Sequence, residues 1–209
     1  MRLFDFERAP SPRRVRIYLA EKGLEIPKVT VNLFRMEQLS PEFLALNPGG
    51  TLPLLETDDG EYIAETIGIC RYLESIYPEP ALFGSTPSEQ GQTLTWNNIC
   101  EQEGYAAVAE ILRNLSPGFR HRAFPGPANI EQQPALIQRG HARAGQFFTR
   151  VNKRLSDTPY LAGQSFTVAD ITLLTLVDFA RWVDLDACDQ RSGLTDWYKR
   201  VSTRNSAKA

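Results

Sequence analysis

No run of this chain holds eighteen consecutive apolar residues, so it encodes no membrane-spanning helix. Cysteine and histidine are scarce. Cys70, Cys100 and Cys188 stand far apart without a CxxC pair, accompanied only by His121 and His141. That set does not suit a structural zinc site, so no metal is expected. The odd number of thiols with apolar flanks predicts reduced cysteines in a reducing compartment. An excess of charge of one sign is also missing. Twenty-three basic residues against twenty-five acidic leave −2, which lacks the electrostatic footprint of a nucleic-acid binder. The opening MRLFDFERAP places acidic residues where an export signal needs an apolar stretch, and a cytoplasmic location is expected. What is there is an ordinary globular composition, 42% hydrophobic and 23% charged over 209 residues. That suffices for one large domain or two of ordinary size.

The charge divides the chain. Residues 1–80 hold nine basic and thirteen acidic residues, and residues 81–209 fourteen and twelve. Between them YPEPALFGSTPS, with three prolines and a glycine, breaks every periodic pattern and reads as a linker. The spacing predicts domains at 1–78 and 88–209, joined by 79–87. In the first, Leu3–Phe6 and Val29–Val31 read as strands around a helix bearing Val15, Tyr18 and Leu19 and ended by Gly23. A short helix over Pro41–Leu46 follows. Leu52–Leu55 and Tyr62–Ile63 flank Asp59-Gly60, a hairpin signal, before a helix from Glu65 to Ile76. The order is βαβαββα. After the linker the pattern is all helical: Ser88 to Leu115, a loop over Ser116–Pro134, Ala135 to Leu155, a nearly all-apolar helix to Val183, and Leu194 to Thr203. Phe166-Thr167-Val168-Ala169-Asp170-Ile171 reads as a capping box inside a hydrophobic staple, which makes Asp170 a buried structural cap.

Five strings occur in order: Ser11-Pro12-Arg13-Arg14-Val15-Arg16, Pro41-Glu42-Phe43-Leu44 with Asn47-Pro48, Leu52-Pro53-Leu54-Leu55, Ile63-Ala64-Glu65-Thr66, and Phe166-Thr167-Val168-Ala169-Asp170. Together they resemble the cytosolic glutathione S-transferases over almost the whole chain. The resemblance implies an α/β thioredoxin-like N-terminal domain with a mixed four-stranded sheet and an all-α C-terminal domain. It also implies a homodimer, and glutathione as co-substrate without a metal. It implies a cis bond at Leu52-Pro53, where backbone N–H and C=O pair with the peptide of glutathione, against the plain reading of a trans proline opening an edge strand. Glu65-Thr66, at a helix start that favours an anion, is implied to grip the γ-glutamyl end; simple helix capping by Thr66 is the alternative. Gln38 is placed near the glycyl end, with Arg35 a solvated arginine or a second contact there.

The implied chemistry is attack of the glutathione thiolate on small electrophiles, a detoxifying conjugation. A thiol of pKa near 8.5 needs its anion stabilised. No Tyr ends the first strand, and Ala9 stands where relatives carry Ser or Cys. Ser11, two residues on, either meets the sulfur or caps the helix with Pro12 at its first position. This pattern resembles an atypical fungal and bacterial branch without the standard Ser, Tyr or Cys, in which a water held by the helical domain serves. Ala109 offers such a water nothing polar, which leaves Ser11, the helix dipole and Arg113 or Tyr105; His121 lies further along in the loop. The electrophile pocket is expected from Ala9, Pro10, Tyr105, Ala109, Arg113 and Phe119, with Phe124 and Trp182 as further wall or as core. His141 reads as surface. The short stretch after Tyr198 predicts an open site and broad electrophile range. Rival readings are a glutathione-binding regulator or scaffold without turnover, which Ala9 favours, and a glutathione-dependent peroxidase. A thioltransferase is disfavoured because it wants Cys at position 9.

Overall fold

The computed structural model describes residues 1–209. Strand β1 (Arg2–Asp5) is the inner strand of a sheet ordered β2-β1-β3-β4, with β2 at Lys28–Thr30, β3 at Leu54–Glu56 and β4 at Tyr62–Ala64. β2 runs parallel to β1, and β3 runs antiparallel to both its neighbours, β1 and β4, with Phe4 opposite Val29 on one side and Leu54 on the other. A parallel pair needs a crossover, and helix α1 (Pro10–Lys22) supplies it. It buries Val15, Ile17, Tyr18 and Leu19 and ends at Gly23 in the left-handed conformation. Helix α2 (Pro41–Leu46) starts where the Ser40 hydroxyl accepts from the Phe43 N–H at 3.2 Å. The Asp59-Gly60 turn closes β3 onto β4, with the Thr57 N–H bonded to the Glu61 carbonyl. Helix α3 (Thr66–Ile76) then packs Ile69, Cys70 and Leu73 into the core.

The helical half opens with α4 (Pro87–Ile99), started by a Thr86/Glu89 capping box. Its axis continues through a wide π turn, Cys100–Tyr105, into α5 (Ala106–Leu115). Gly104 explains the placing of that turn. A Cβ there would lie 2.3 Å from Leu176 Cδ2 and 2.8 Å from Phe147 Cε1, so only a hydrogen lets the neighbouring helices approach. Those neighbours are α6 (Ala135–Asp157) and the central α7 (Val168–Ala180), which is buried almost all round; α8 (Ser192–Ser202) follows. Asp170, fully buried, accepts four hydrogen bonds, from the Leu161 N–H, the Trp197 indole, and the N–H and hydroxyl of Thr167. It is a structural cap, as its sequence context suggested.

A buried polar network fixes the linker. Lys22 is ion-paired with Glu74 at 2.5 Å and donates to the carbonyls of Tyr77 and Pro80. Glu74 also accepts from the Tyr18 hydroxyl and from the N–H groups of Leu82 and Phe83. Sheet and helices share one continuous apolar core from Leu3 to Ala207. The chain's last turn packs along α1: Arg204 holds Glu21 through two bonds of 2.8 and 2.7 Å, and Arg13 donates to the Ala207 carbonyl. Two 3-10 turns, Leu33–Arg35 and Glu37–Leu39, escaped the sequence reading.

Candidate active site

At the N-terminal end of α1 the cap residue is Ala9, in extended conformation and without a side-chain bond to the helix. Ser11 is therefore inside the first turn, and its reading as the helix cap is corrected. Pro10 and Pro12 carry no N–H, and the Arg13 N–H already bonds to the Ala9 carbonyl. The first turn thus offers one free backbone donor, the Ser11 N–H, beside a Ser11 hydroxyl that has no partner in the chain. Two prolines concentrate the positive end of the helix on one half-buried residue.

The start of α3 supplies a second donor cluster. Glu65 precedes it at φ 67°, a conformation that non-glycine residues rarely hold and that costs about 1–3 kcal/mol. The strain is retained while the N–H groups of Thr66, Ile67 and Gly68 stay free; the first helical bond is from Ile69 to the Glu65 carbonyl. Thr66 does not cap the helix. Its buried hydroxyl accepts from Arg14 Nη2 at 3.0 Å and donates to the Ser11 carbonyl at 3.4 Å, tying the two helix starts together.

The Leu52-Pro53 bond is cis. Neither the N–H nor the C=O of Leu52 bonds within the chain, since β3 begins at Leu54. Gln38 is buried with its Oε1 unpartnered, while Arg35 is exposed. Ser11, Leu52-Pro53 and Thr66 therefore present free polar groups from three elements of the sheet domain, with Gln38 a fourth source beyond α1.

On the helical side, Tyr105 is half-buried, stacks on Phe179 with ring centroids 5.7 Å apart, and donates its hydroxyl to Thr175 at 2.5 Å. Burial pushes its phenol up to about 12. A thiolate therefore finds no free donor there. Arg113 is not a free cation either. Its guanidinium donates to the carbonyls of Arg122, Ala123 and Phe124 and lies 4.5 Å over the Phe119 ring, so it clamps the following loop. Trp182 is 53% exposed and meets Phe179 edge-on, which excludes a core role; Phe124 is exposed as well. His121 is exposed and paired with Glu131 at 2.7 Å, and His141 is on the surface. A groove of about 630 Å3 lies elsewhere, between β1, β2 and the last residue, and none of the expected site residues lines it.

Family models named Glutathione S-transferase, N-terminal domain and Glutathione S-transferase, C-terminal domain match residues 9–76 and 107–205. The chain belongs to the glutathione S-transferase family. It is 38% identical over its full length to Glutathione S-transferase 2 of Saccharomyces cerevisiae, covering 88% of that protein. The crystal structure of Gtt2 from Saccharomyces cerevisiae superposes with a TM-score of 0.91 at 36% identity, covering 100% of this chain and 99% of that one. A glutathione S-transferase domain-containing protein of Marinobacter aquaeolei gives 0.90 at 33% identity, with 99% of each covered. A shorter likeness, 46% over 89 residues and 42% of each chain, is to a Maleylacetoacetate isomerase of Pseudomonas aeruginosa.

The family uses glutathione as a substrate, and burial pushes the thiols of Cys70 and Cys100 well above the ordinary thiol range and raises that of the half-buried Cys188. Sequence reasoning missed Arg14. Its guanidinium is buried, ion-paired with Glu101 at 2.7 Å, 4.8 Å from the Tyr105 ring centre, and bonded to Thr66. The available signal was position. In Arg13-Arg14-Val15-Arg16 the helical period turns each arginine to a different neighbour: Arg13 to Asp178, Arg14 to Glu101 and Arg16 to Asp5.

Proposed function

We propose that this member of the glutathione S-transferase family binds glutathione along the sheet domain and transfers its thiolate to small electrophiles. The observation that carries the reading is the set of unpartnered donors at the starts of α1 and α3 and at Leu52, a pattern suited to one extended, twice-anionic peptide. The N–H groups of Thr66, Ile67 and Gly68 meet the γ-glutamyl carboxylate, and the Glu65 carboxylate meets its amine. Leu52, held by Pro53, pairs with the cysteinyl backbone, and Gln38 faces the glycyl end.

Ser11 is the thiol-activating residue in this reading. As the S–H proton passes to solvent, the sulfur accepts from the Ser11 N–H and hydroxyl at the positive end of α1. Lowering the thiol pKa by about two units requires about 2.7 kcal/mol, within reach of two such bonds and a helix terminus. The thiolate then forms the S–C bond while the electrophile's leaving group departs, or its adjacent carbon takes up a proton. Ala9, Pro10, Tyr105, Ala109 and Phe119 form the wall that holds the electrophile. Arg113 is not part of it.

The division into a glutathione domain at 1–78, a linker at 79–87 and a helical domain at 88–209 belongs to the same proposal, as do a cytoplasmic homodimer and a detoxifying role. One second reading has an observation behind it: Ala9 contributes no hydroxyl or thiol, which favours a binding protein without turnover. Steady-state kinetics with an activated aryl halide, beside calorimetry with S-methylglutathione, separates them. Turnover with binding is expected; binding without turnover across varied electrophiles supports the regulator, and no binding refutes both.

A further inference from the structure

Residues 116–134 form a built strap. Arg113 fixes it by bonds to three successive carbonyls, of Arg122 at 2.6 Å, Ala123 at 3.3 Å and Phe124 at 2.9 Å. Its two limbs bond to each other: the Ala123 N–H to the Ile130 carbonyl, and the Ile130 N–H to the His121 carbonyl. At the base, the Gln132 side chain donates to the carbonyls of Arg113 and Ser116, and Asn114 Oδ1 accepts from the Gln133 N–H. A long loop with this much internal bonding is an organised element.

Its tip is Pro125-Gly126-Pro127, two fixed φ angles around a glycine at φ 108°. A Cβ on Gly126 would lie 3.3 Å from the Gly49 carbonyl oxygen, so the tip rests on the sheet domain. The Gly49 turn is itself fixed, because Asn47 accepts from the Gly49 N–H and donates to the Thr51 carbonyl just ahead of Leu52-Pro53. On its other side, a Cβ on Gly50 would lie 2.9 Å from Leu39 Cδ2 and 3.3 Å from the Gln38 carbonyl. Strap tip, Gly49 turn and the buried Gln38 are therefore successive neighbours.

We propose that the strap gauges the length of the thiol peptide. Resting on Gly49 beside Gln38, it admits a peptide that ends at glycine and excludes one that continues past it. The inference rests on the reading above, in which Gln38 meets the glycyl end. The selectivity is steric, arising from a fixed wall and not from an added attraction. One further residue would project about 3.5 Å of chain into that wall.

The test compares glutathione with γ-glutamylcysteinylglycylglycine as the thiol, using the full-length protein and one electrophile. Two variants displace the strap: Gly126→Val, whose branched side chain does not fit φ 108°, and Arg113→Met, which removes the three carbonyl bonds. Wild type is expected to favour glutathione at least about tenfold in kcat/KM, and both variants to bring the ratio to within about twofold by gaining the longer thiol. Equal use of the two thiols by wild type overturns the inference, and so does an unchanged ratio in both variants. Calorimetry of wild type with S-methylglutathione distinguishes the two levels. Binding with no length selectivity sinks the strap alone, whereas no binding removes the glutathione reading and the gauge with it.

Discussion

Asp170→Ala is the substitution whose cost the structure defines best. The carboxylate is fully buried and satisfies the Leu161 N–H, the Trp197 indole N–H and the Thr167 N–H, each at 3.0 Å, together with the Thr167 hydroxyl at 3.1 Å. Alanine leaves three buried N–H donors without an acceptor, at about 2 kcal/mol each, or about 6 kcal/mol together. The hydroxyl re-aims. Against this, burial pushes the Asp170 carboxyl up to about 6 from 3.8, so holding it ionised at pH 7 costs about 3 kcal/mol, which the variant no longer carries. The net loss at pH 7 is about 3 kcal/mol. The pH dependence has a definite sign. Because the folded pKa lies above the unfolded one, this group adds stability below the unfolded value and loses it as pH rises through about 6. From pH 7 to pH 5 wild type gains about 1.3 kcal/mol relative to the variant, and the gap widens to about 4 kcal/mol. Urea unfolding at fixed protein concentration at both pH values measures it. A loss under about 1 kcal/mol at pH 7, or a gap that does not widen on acidification, refutes the reasoning.

Other outcomes follow from the same contacts. Lys22→Met leaves Glu74 charged in the core without its cation and should lower stability by about 3–5 kcal/mol; a urea midpoint close to wild type would contradict it. Glu65→Gly relieves the strain at φ 67°, so its melting temperature should stay within about 4 °C of wild type while the glutathione KM rises; a collapse in stability with KM unchanged would show that Glu65 serves the fold. Thr66→Val keeps the shape of α3's start but unties it from Arg14 and the Ser11 carbonyl, and should weaken S-methylglutathione binding by about tenfold, read by calorimetry. Size-exclusion chromatography with light scattering should return twice the chain mass, and a monomer would count against the proposed dimer.

The sequence made the fold legible where the cause was local. Asp59-Gly60 closes its own hairpin, Gly23 ends α1 by its backbone freedom, and the uniformly apolar stretch after Asp170 has to be central. It was less informative where a distant partner decides. The 3-10 turns at 33–39 turn on Met36, a non-glycine residue at φ 56°. The π turn at Cys100–Tyr105 answers the approach of Leu176 and Phe147 to Gly104. For the candidate site, Leu52, Pro53, Glu65 and Thr66 were legible as strings, but the job of each arginine was not. Arg113 looked like a free cation near the pocket because its three carbonyl partners lie nine to eleven residues ahead in a loop with no periodic pattern. Ser11 looked like a cap because Ser before Pro usually is one; the helix instead begins at Pro10, two residues before the Pro12 start that a Ser11 cap would give.

The central claim is that the α1 terminus, through Ser11, holds the bound sulfur as a thiolate. It is tested most directly by titrating the ultraviolet thiolate absorbance of glutathione bound to wild type and to Ser11→Ala. The account predicts a bound pKa about two units below that of the free thiol, with a substantial part of the shift lost in the variant. A bound thiol that titrates like the free one would contradict it.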